Sequence, residues 1–568
     1  MARANSNMFS SCLASPSVKQ LSMSSRICSP SCKFQVLPLP QPMQNLTSTD
    51  FLFKSKNLLT TLPCNRTKSL EELVESTQKR LTKSMDPGPC LKLTDTIQRL
   101  GISHHFEDEI DAHLERLSDW NAGDNLFATA LQFRLLRHNG KPADSDVFSK
   151  FMTSDGKLKE SVGEDIWGML SLYEASYLAT QSEEKLLQSA TDLRTHLQQL
   201  MPLMKSKSSR QVAQALKHPR HLRMASLEAR NYIDEYSGEE EFSPDIWQLA
   251  ELDFNMVQQL HQRELAEISS WWKQLGLVEK LSFARDQVQE CFLWAVGMFP
   301  EPYHSSCRIE LTKTVAILLV LDDVFDSYGS LDELILFTNA IERWELSAME
   351  QLPEYMKICY MELYNNTNDI AFRVLKEHGW SIVSYLQRTW VDIIQGFLVE
   401  AKWYNRGYVP SLDEYLSTSI TTSGSYMAQV YASFLMGQGV TKDTAAVLMD
   451  PNPSLFSISG KILRLWDDLG TAKEEQERGD VASSIQCLMA EKKLSSEREA
   501  REHIRKLINS SWTELNSALV ASNSLPLSIK KASLNMGRTA QVVYQHGDDE
   551  NAPSVNHQVQ TLFYNPIM

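Results

Sequence analysis

From about residue 66 onward the apolar positions recur every three or four residues, the period of a helix that buries one face. Leu186, Ala190, Leu193, Leu197 and Leu200 are spaced four, three, four and three, behind Ser182 as a candidate N-cap. The same period runs through Asp108 to Trp120, Glu251 to Leu275, Trp380 to Ala401 and Arg498 to Leu519, while alternating strand patterns closed by hairpin turns are scarce. The chain is therefore expected to be all-α. Turn-forming residues at His138 to Pro142, Ser237 to Pro244, Asn405 to Gly407 and Asp450 to Pro453 mark loops, and no repeat of solenoid period is visible. At 568 residues the chain exceeds one core. The acidic, glycine-containing loop Ser237 to Pro244 puts the domain junction between there and Gly276, giving helical domains at 66–265 and 266–568.

One helical stretch, Val315 to Ser327, has a different character. Val315, Leu318, Leu319, Asp322 and Asp326 share a face that is apolar and then acidic. The apolar run Val315 to Leu321 is too short to span a bilayer and suits a helix inside a protein. Uncompensated carboxylates are very unfavourable there, so Asp322, Asp323 and Asp326 are expected to open onto water or to bind cations. Oxygen-only donors point to a hard ion, Mg²⁺ best of all, although an acidic helix end with no ligand explains this segment alone equally well. A second array changes the balance. Asp467, Thr471 and Glu475 are spaced four and four, with Arg464 a turn earlier as a phosphate binder on nearly the same face. Two such helices, facing each other, close a multinuclear metal site around a diphosphate.

Residues 1–65 carry Arg3, Lys19, Arg26, Lys33, Lys54 and Lys56 against Asp50 alone, are rich in serine and lack a compact apolar run near the start, the composition of an organellar transit peptide. Removing them takes the formal net charge from −15 to −20, which excludes general nucleic-acid binding by charge. The nine cysteines form no CxxC pair and are expected to be free thiols in a reducing compartment. His104-His105 beside Glu107 and Asp108 raises the question of zinc, but adjacent histidines on a helix project to different sides, which argues against it.

Asp322-Asp-Val-Phe-Asp326 and Asp467-Asp-Leu-Gly-Thr-Ala-Lys-Glu-Glu475 resemble the two metal-binding motifs of the class I plant terpene synthases. The likeness extends through Arg134-Leu-Leu-Arg137, Gly168 to Ser176, Leu227 to Arg230, Leu252 to Met256, Phe283 to Asp286, Arg343-Trp-Glu345 and Arg538 to Gln541. It implies an α-barrel-like N-terminal domain, now catalytically silent, and a C-terminal helical bundle that ionises a prenyl diphosphate with three Mg²⁺ ions, Mn²⁺ being a possible substitute. By position, Asp322 and Asp326 would hold two ions and Asp467, Thr471 and Glu475 the third, with Arg285 and Arg464 on the diphosphate and Asp323 behind the ligands. A dry aromatic pocket must then shelter an allylic cation. Trp294 and Tyr544 are the chosen candidates, with Trp390 and Tyr426 also placed near matching segments. Thr421-Thr-Ser-Gly424 looks like the family's helix break facing the substrate, and close helix packing explains its glycine equally well.

Two departures narrow the expectation. The family's Arg-x-Arg clamp is reduced to Arg285-Asp-Gln287, and Leu58 to Ile102 contains no tandem arginine. Both resemble the branch that makes the acyclic alcohols linalool and nerolidol. The expected activity is a plastid-stromal monomer converting geranyl diphosphate to linalool, and farnesyl diphosphate to nerolidol, with ocimene, myrcene or a cyclic product such as α-terpineol as the alternative. No Asp-x-Asp-Asp motif for protonation-initiated cyclisation occurs. A chain-elongating prenyltransferase would repeat the aspartate pentad, which Asp467 to Glu475 does not.

Overall fold

The computed structural model describes residues 68–568, apart from 85, 154–156, 438–440, 450–453, 479–481 and 522–524. The leader expected at 1–65 and the break at Asp450 to Pro453 lie outside the described residues.

Among the described residues the regular structure is helical, with one isolated bridge between Met152 and Leu158. The first half contains α1 (Leu70–Lys83), α2 (Pro87–Arg99), α3 (Glu107–Leu117), α4 (Leu126–His138), α5 (Ile166–Ser176), α6 (Glu184–Leu200), α7 (Ser206–Lys217) and α8 (Ala225–Tyr236). Next come α9 (Pro244–Leu275), a short turn α10 (Leu277–Lys280), α11 (Val288–Met298), α12 (Ser305–Asp323), α13 (Leu331–Arg343), α14 (Glu354–His378) and α15 (Val383–Arg406). The chain closes with α16 (Leu412–Thr422), α17 (Ser425–Leu435), α18 (Lys442–Met449), α19 (Ser454–Arg478), α20 (Ser484–Lys492), α21 (Glu497–Ala521), α22 (Leu527–Asp548) and α23 (Val555–Phe563). No helix of the described residues is long and apolar enough to cross a membrane.

The expected helices and the breaks after His138, Tyr236 and Arg406 recur with shifts of a few residues, and Gly140 and Gly407 take the left-handed conformation there. Ser182 does not cap α6; Glu183 holds that position without a capping bond, and the Ser182 hydroxyl lies against that of Thr180 instead. The junction read between Ser237 and Gly276 is filled by one 32-residue helix, α9. Its apolar face serves two cores. Ile246, Leu249, Leu252, Met256 and Leu260 pack with α1 to α4, whereas Leu265, Ile268 and Trp272 pack with α11 and α12. The C-terminal tail returns across this changeover, where Ile567 joins the first core and Asn255 bonds both its amide and its carbonyl.

Helix α12 runs through the middle of the second core, packed by α9, α11, α14 and α17. Even its polar residues are buried in matched pairs, Arg308 meeting Glu264 through two bonds of 2.6 and 2.8 Å. An ion pair so buried must be complete, since losing one partner strands a charge.

His104 and His105 do not project to different sides. Ser103–His105 is a single 3₁₀ turn rather than α-helix, and both rings turn toward the same carboxylate, that of Asp253.

Candidate active site

Helix α12 ends by changing its winding. After Asp323 the chain makes a π-turn over Val324–Tyr328, closed by the Gly329 amide on the Val324 carbonyl at 2.8 Å. Such turns widen a helix locally and occur often at functional sites. Asp322 stands on the last α-turn with its side chain 28% exposed, and Asp326 on the π-turn is exposed. Asp323 departs from the expectation that all three carboxylates open outward. It is buried and anchored by Arg285, whose Nε lies 2.6 Å from Oδ1 and whose amide donates to Oδ2 at 2.9 Å. Burial still pushes its carboxyl above the usual range despite that arginine. Arg285 also reaches Asp322 at 2.6 Å, so the residue expected to clamp phosphate is committed to both aspartates.

The second array repeats this division of labour. Asp468 is fully buried and taken by the Tyr415 hydroxyl at 2.7 Å and the Ser484 amide at 2.9 Å. Asp467, its neighbour, faces the other way, toward Arg464 Nη1 at 2.8 Å and the Tyr544 hydroxyl. Thr471 Oγ1 lies 2.7 Å from Glu475 Oε1 and 2.8 Å from the Asp467 carbonyl, so Asp467, Thr471 and Glu475 do stack along α19. Burial raises Asp467 to about 6, with Asp468 and Asp322 adding to it, which places the α12 aspartate within electrostatic reach of α19. Burial, then the Asp467 and Asp468 charges, raise Glu475 to about 8.

Glycines set the register that brings Tyr544 to Asp467. A Cβ on Gly547 of α22 would stand 2.1 Å from the Gly470 carbonyl oxygen of α19, and one on Gly470 would stand 2.9 Å from the Tyr544 Cβ. Gly297 of α11 admits Thr539 in the same way, at 2.2 Å. These approaches seat Trp294 and Tyr544 with ring centroids 6.1 Å apart, both half-buried. Gly547→Ala should therefore cost about 2 kcal/mol by forcing the helices apart; a urea midpoint equal to wild type would contradict the packing. The other two aromatic candidates make different contacts. Trp390 is fully buried with its indole N–H bonded to Thr367 and Tyr431, and the Tyr426 hydroxyl donates to the Leu448 carbonyl.

The break expected at Thr421 to Gly424 separates α16 from α17, with Gly424 at φ +75°. A Cβ there would meet Leu318 of α12 at 2.5 Å, so close packing requires the glycine. Arg464 Nε donates to the Ser419 carbonyl at 3.1 Å, tying α19 to the last turn before the break. One acid of this neighbourhood went unread in the sequence. Glu400 of α15 accepts from Thr422 at 2.8 Å and is raised to about 7 by burial, with Asp322 and Asp468 contributing. A lone glutamate after Gly396-Phe-Leu-Val was the available signal.

Two family descriptions fit this arrangement: "Terpene synthase family, metal binding domain" matches residues 273–514 and "Terpene synthase, N-terminal domain" matches residues 44–216. A probable terpene synthase 11 of Ricinus communis is 62% identical over 88% of the chain and 87% of that protein. The chain belongs to the terpene synthase family. A terpene synthase is a carbon–oxygen lyase acting on phosphates, and the expectation of a metal-binding helical enzyme holds. Two chloroplastic relatives from Ocimum basilicum, a geraniol synthase and an R-linalool synthase, are 50% and 48% identical over 87% and 88% of the chain, each covering 86% of the relative. Among solved structures, isoprene synthase of grey poplar (Populus x canescens), in complex with three Mg²⁺ ions and dimethylallyl-S-thiolodiphosphate, superposes with a TM-score of 0.83 at 34% identity, over 92% of this chain and 99% of that one.

Proposed function

We propose that this terpene synthase is a Mg²⁺-dependent monoterpene synthase that ionises geranyl diphosphate and lets water capture the allylic cation, giving linalool, with nerolidol from farnesyl diphosphate. The observation that carries the metal assignment is the gathering of part-buried oxygen donors along α19, where Thr471 Oγ1 joins Asp467 and Glu475, and where burial and the repulsion of neighbouring carboxylates lift Asp467 to about 6 and Glu475 to about 8. An all-oxygen set of this kind fits Mg²⁺. Asp322 and Asp326 would hold ions from one wall and Asp467, Thr471 and Glu475 from the other. When bound, the ions neutralise the charge that develops on the departing diphosphate.

The chain's own residues supply the rest. Arg464, already aligned with Asp467, adds positive charge on the leaving-group side, and Arg285 fixes Asp322 and Asp323 in place. The faces of Trp294 and Tyr544 offer the cation stabilisation without a nucleophile. Tyr544 is kept protonated, since burial and the Asp467 charge raise its hydroxyl well above the ordinary phenol range. The division into 66–265 and 266–568 rests on the handover of core along α9 between Leu260 and Leu265. The enzyme is proposed to act as a monomer.

Acyclic alcohol formation is supported by Gln287, where a second clamping arginine is absent, and by the commitment of Arg285 to two aspartates. A loosely held diphosphate favours early capture over the rotation that ring closure needs. Two relatives named for acyclic alcohols agree with this reading. Purified enzyme given geranyl, farnesyl and geranylgeranyl diphosphates separately with Mg²⁺, analysed by chiral gas chromatography, should yield mainly linalool from the first and nerolidol from the second. Geraniol as the main product would move water attack from the tertiary to the primary carbon, and limonene or α-terpineol would refute the acyclic reading. Delivery to plastids is proposed from the leader's composition and the chloroplastic relatives. A reporter fused to residues 1–65 should enter plastids; cytosolic signal would exclude it.

A further inference from the structure

Beyond the aspartate-bearing helices, the only group of three or more His, Cys, Asp or Glu donors among the described residues whose ligand atoms all lie within 4.8 Å of one another is His104, His105 and Asp253. His105 Nε2 is 2.7 Å and His104 Nε2 3.2 Å from the same oxygen, Asp253 Oδ1. The three side chains are only 3–6% exposed. This proximity comes from the 3₁₀ turn, which aims two successive rings at one point of α9.

We propose that His104, His105 and Asp253 form a second metal site, chemically distinct from the Mg²⁺ site proposed above, that takes a borderline divalent cation of the Zn²⁺ or Co²⁺ type. Two imidazoles and a carboxylate are the donor set of such ions and a poor one for Mg²⁺. Bonds of about 2.0–2.1 Å in a tetrahedron place neighbouring donors roughly 3.3 Å apart. The two nitrogen-to-oxygen distances, 2.7 and 3.2 Å, need to open by only a fraction of an ångström. A fourth position is available because His104 and Asp253 line a cleft of about 550 Å³, together with Glu107, Asp108 and Glu301. The cleft also receives His261, a buried histidine of α9 whose Nε2 has no hydrogen-bond partner.

Burial works against a charge on His104, but Asp253, with Glu301 and Glu107 behind it, raises its pKa; burial and the neighbouring His104 lower that of His105. Each ring must present a bare Nε2 to a cation. A neutral ring does so by carrying its proton on Nδ1, and a charged ring does so by releasing one proton to solvent. The ion would pin the turn after α2 to α9, beside the Tyr303 to Glu107 bond of 2.9 Å that links α3 to the segment before α12. Its role is therefore structural, and it should raise unfolding temperature without entering turnover.

Co²⁺ is the probe. The full chain, stripped with EDTA and supplied with excess Mg²⁺ to occupy the aspartate site, should bind one equivalent of Co²⁺ with the visible absorption of a tetrahedral N/O site, displaced by Zn²⁺ and accompanied by proton release. His104→Phe and Asp253→Asn should each weaken this binding by at least about tenfold, whereas Asp322→Asn should leave it unchanged. Asp253→Asn is the variant at risk of misfolding, so His104→Phe, checked by circular dichroism, decides. No tetrahedral Co²⁺ spectrum in wild type, or a spectrum that survives His104→Phe, would overturn the site. Loss of the spectrum in Asp322→Asn would assign the ion to the aspartate helices instead. Loss of turnover in every preparation, with the Co²⁺ spectrum intact, would count against the proposed synthase activity and leave this site standing.

Discussion

Asp322→Ala, Asp326→Ala and Glu475→Ala should each lower turnover of geranyl diphosphate by about 10³-fold or more, a loss of roughly 4 kcal/mol of transition-state stabilisation. The expectation follows from how each aspartate pair is divided. Asp323 and Asp468 are bound up by protein donors, Arg285 for the first and Tyr415 with the Ser484 amide for the second. Their neighbours Asp322 and Asp467 also have partners, Arg285 for the first and Arg464 with the Tyr544 hydroxyl for the second, but they stay half-buried rather than sealed, and the Asp322 charge is felt by Asp467, Tyr544 and Glu400 alike. Stability of the Asp322 variant should change little. Asp322 is part-exposed, and a pair of that kind contributes about 0–1 kcal/mol; Arg285 keeps Asp323 when Asp322 is removed. The measurement is product formation across a Mg²⁺ titration beside circular dichroism and urea unfolding. A folded Asp322→Ala enzyme within tenfold of wild-type activity would remove Asp322 from the proposed ligand set.

What the sequence disclosed and what it withheld divide along a physical line. Helical periodicity located long helices such as α6, α9, α15 and α21 because one-sided burial writes itself into spacing, and the four-residue interval from Asp467 to Glu475 survived because α19 is a regular helix. The Asp322 to Asp326 interval also reads as one face, yet the π-turn beginning at Val324 depends on packing and leaves no periodic trace. Long-range partners were the main omission. Asp468 meets Tyr415 across 53 positions and Arg285 meets Asp322 across 37, separations that no local pattern encodes. His104 and His105 were misplaced for a related reason, since α-helical geometry sends adjacent side chains apart and the chain makes a 3₁₀ turn at Ser103–His105 instead. Aromatic residues were the least legible. Local sequence does not sort Trp294 from Trp390, and only the fold shows that one meets Tyr544 while the other is sealed against Thr367 and Tyr431.

The metal-free protein should lose stability as pH rises from about 5 to 8, and Mg²⁺ should restore it. Glu475 is raised to about 8 from an ordinary 4.5, and Asp467 to about 6 from 3.8. Between those limits the folded state holds more protons than the unfolded state. Stability from these groups is thus fully present below their unfolded values and is lost as pH passes through the folded ones. The two titrate together, so the loss belongs to the pair and is on the order of 3 kcal/mol. Other groups move in the opposite sense. Burial lowers His218 to about 4 and His221 to about 3, and such neutral buried imidazoles cost stability as pH falls below their ordinary range. The informative quantity is accordingly the difference between wild type and Glu475→Gln, in which every other group cancels. In EDTA the variant should gain on wild type steadily from pH 5 to 8, and in excess Mg²⁺ that advantage should vanish or reverse, because an ion that binds the ionised carboxylates stabilises only the folded wild type. Urea midpoints at four pH values, with and without Mg²⁺, test both parts. A wild-type minus Glu475→Gln difference that stays flat with pH would show that the Glu475 carboxylate is well solvated, and the case for a charge-deficient site between α12 and α19 would fall with it.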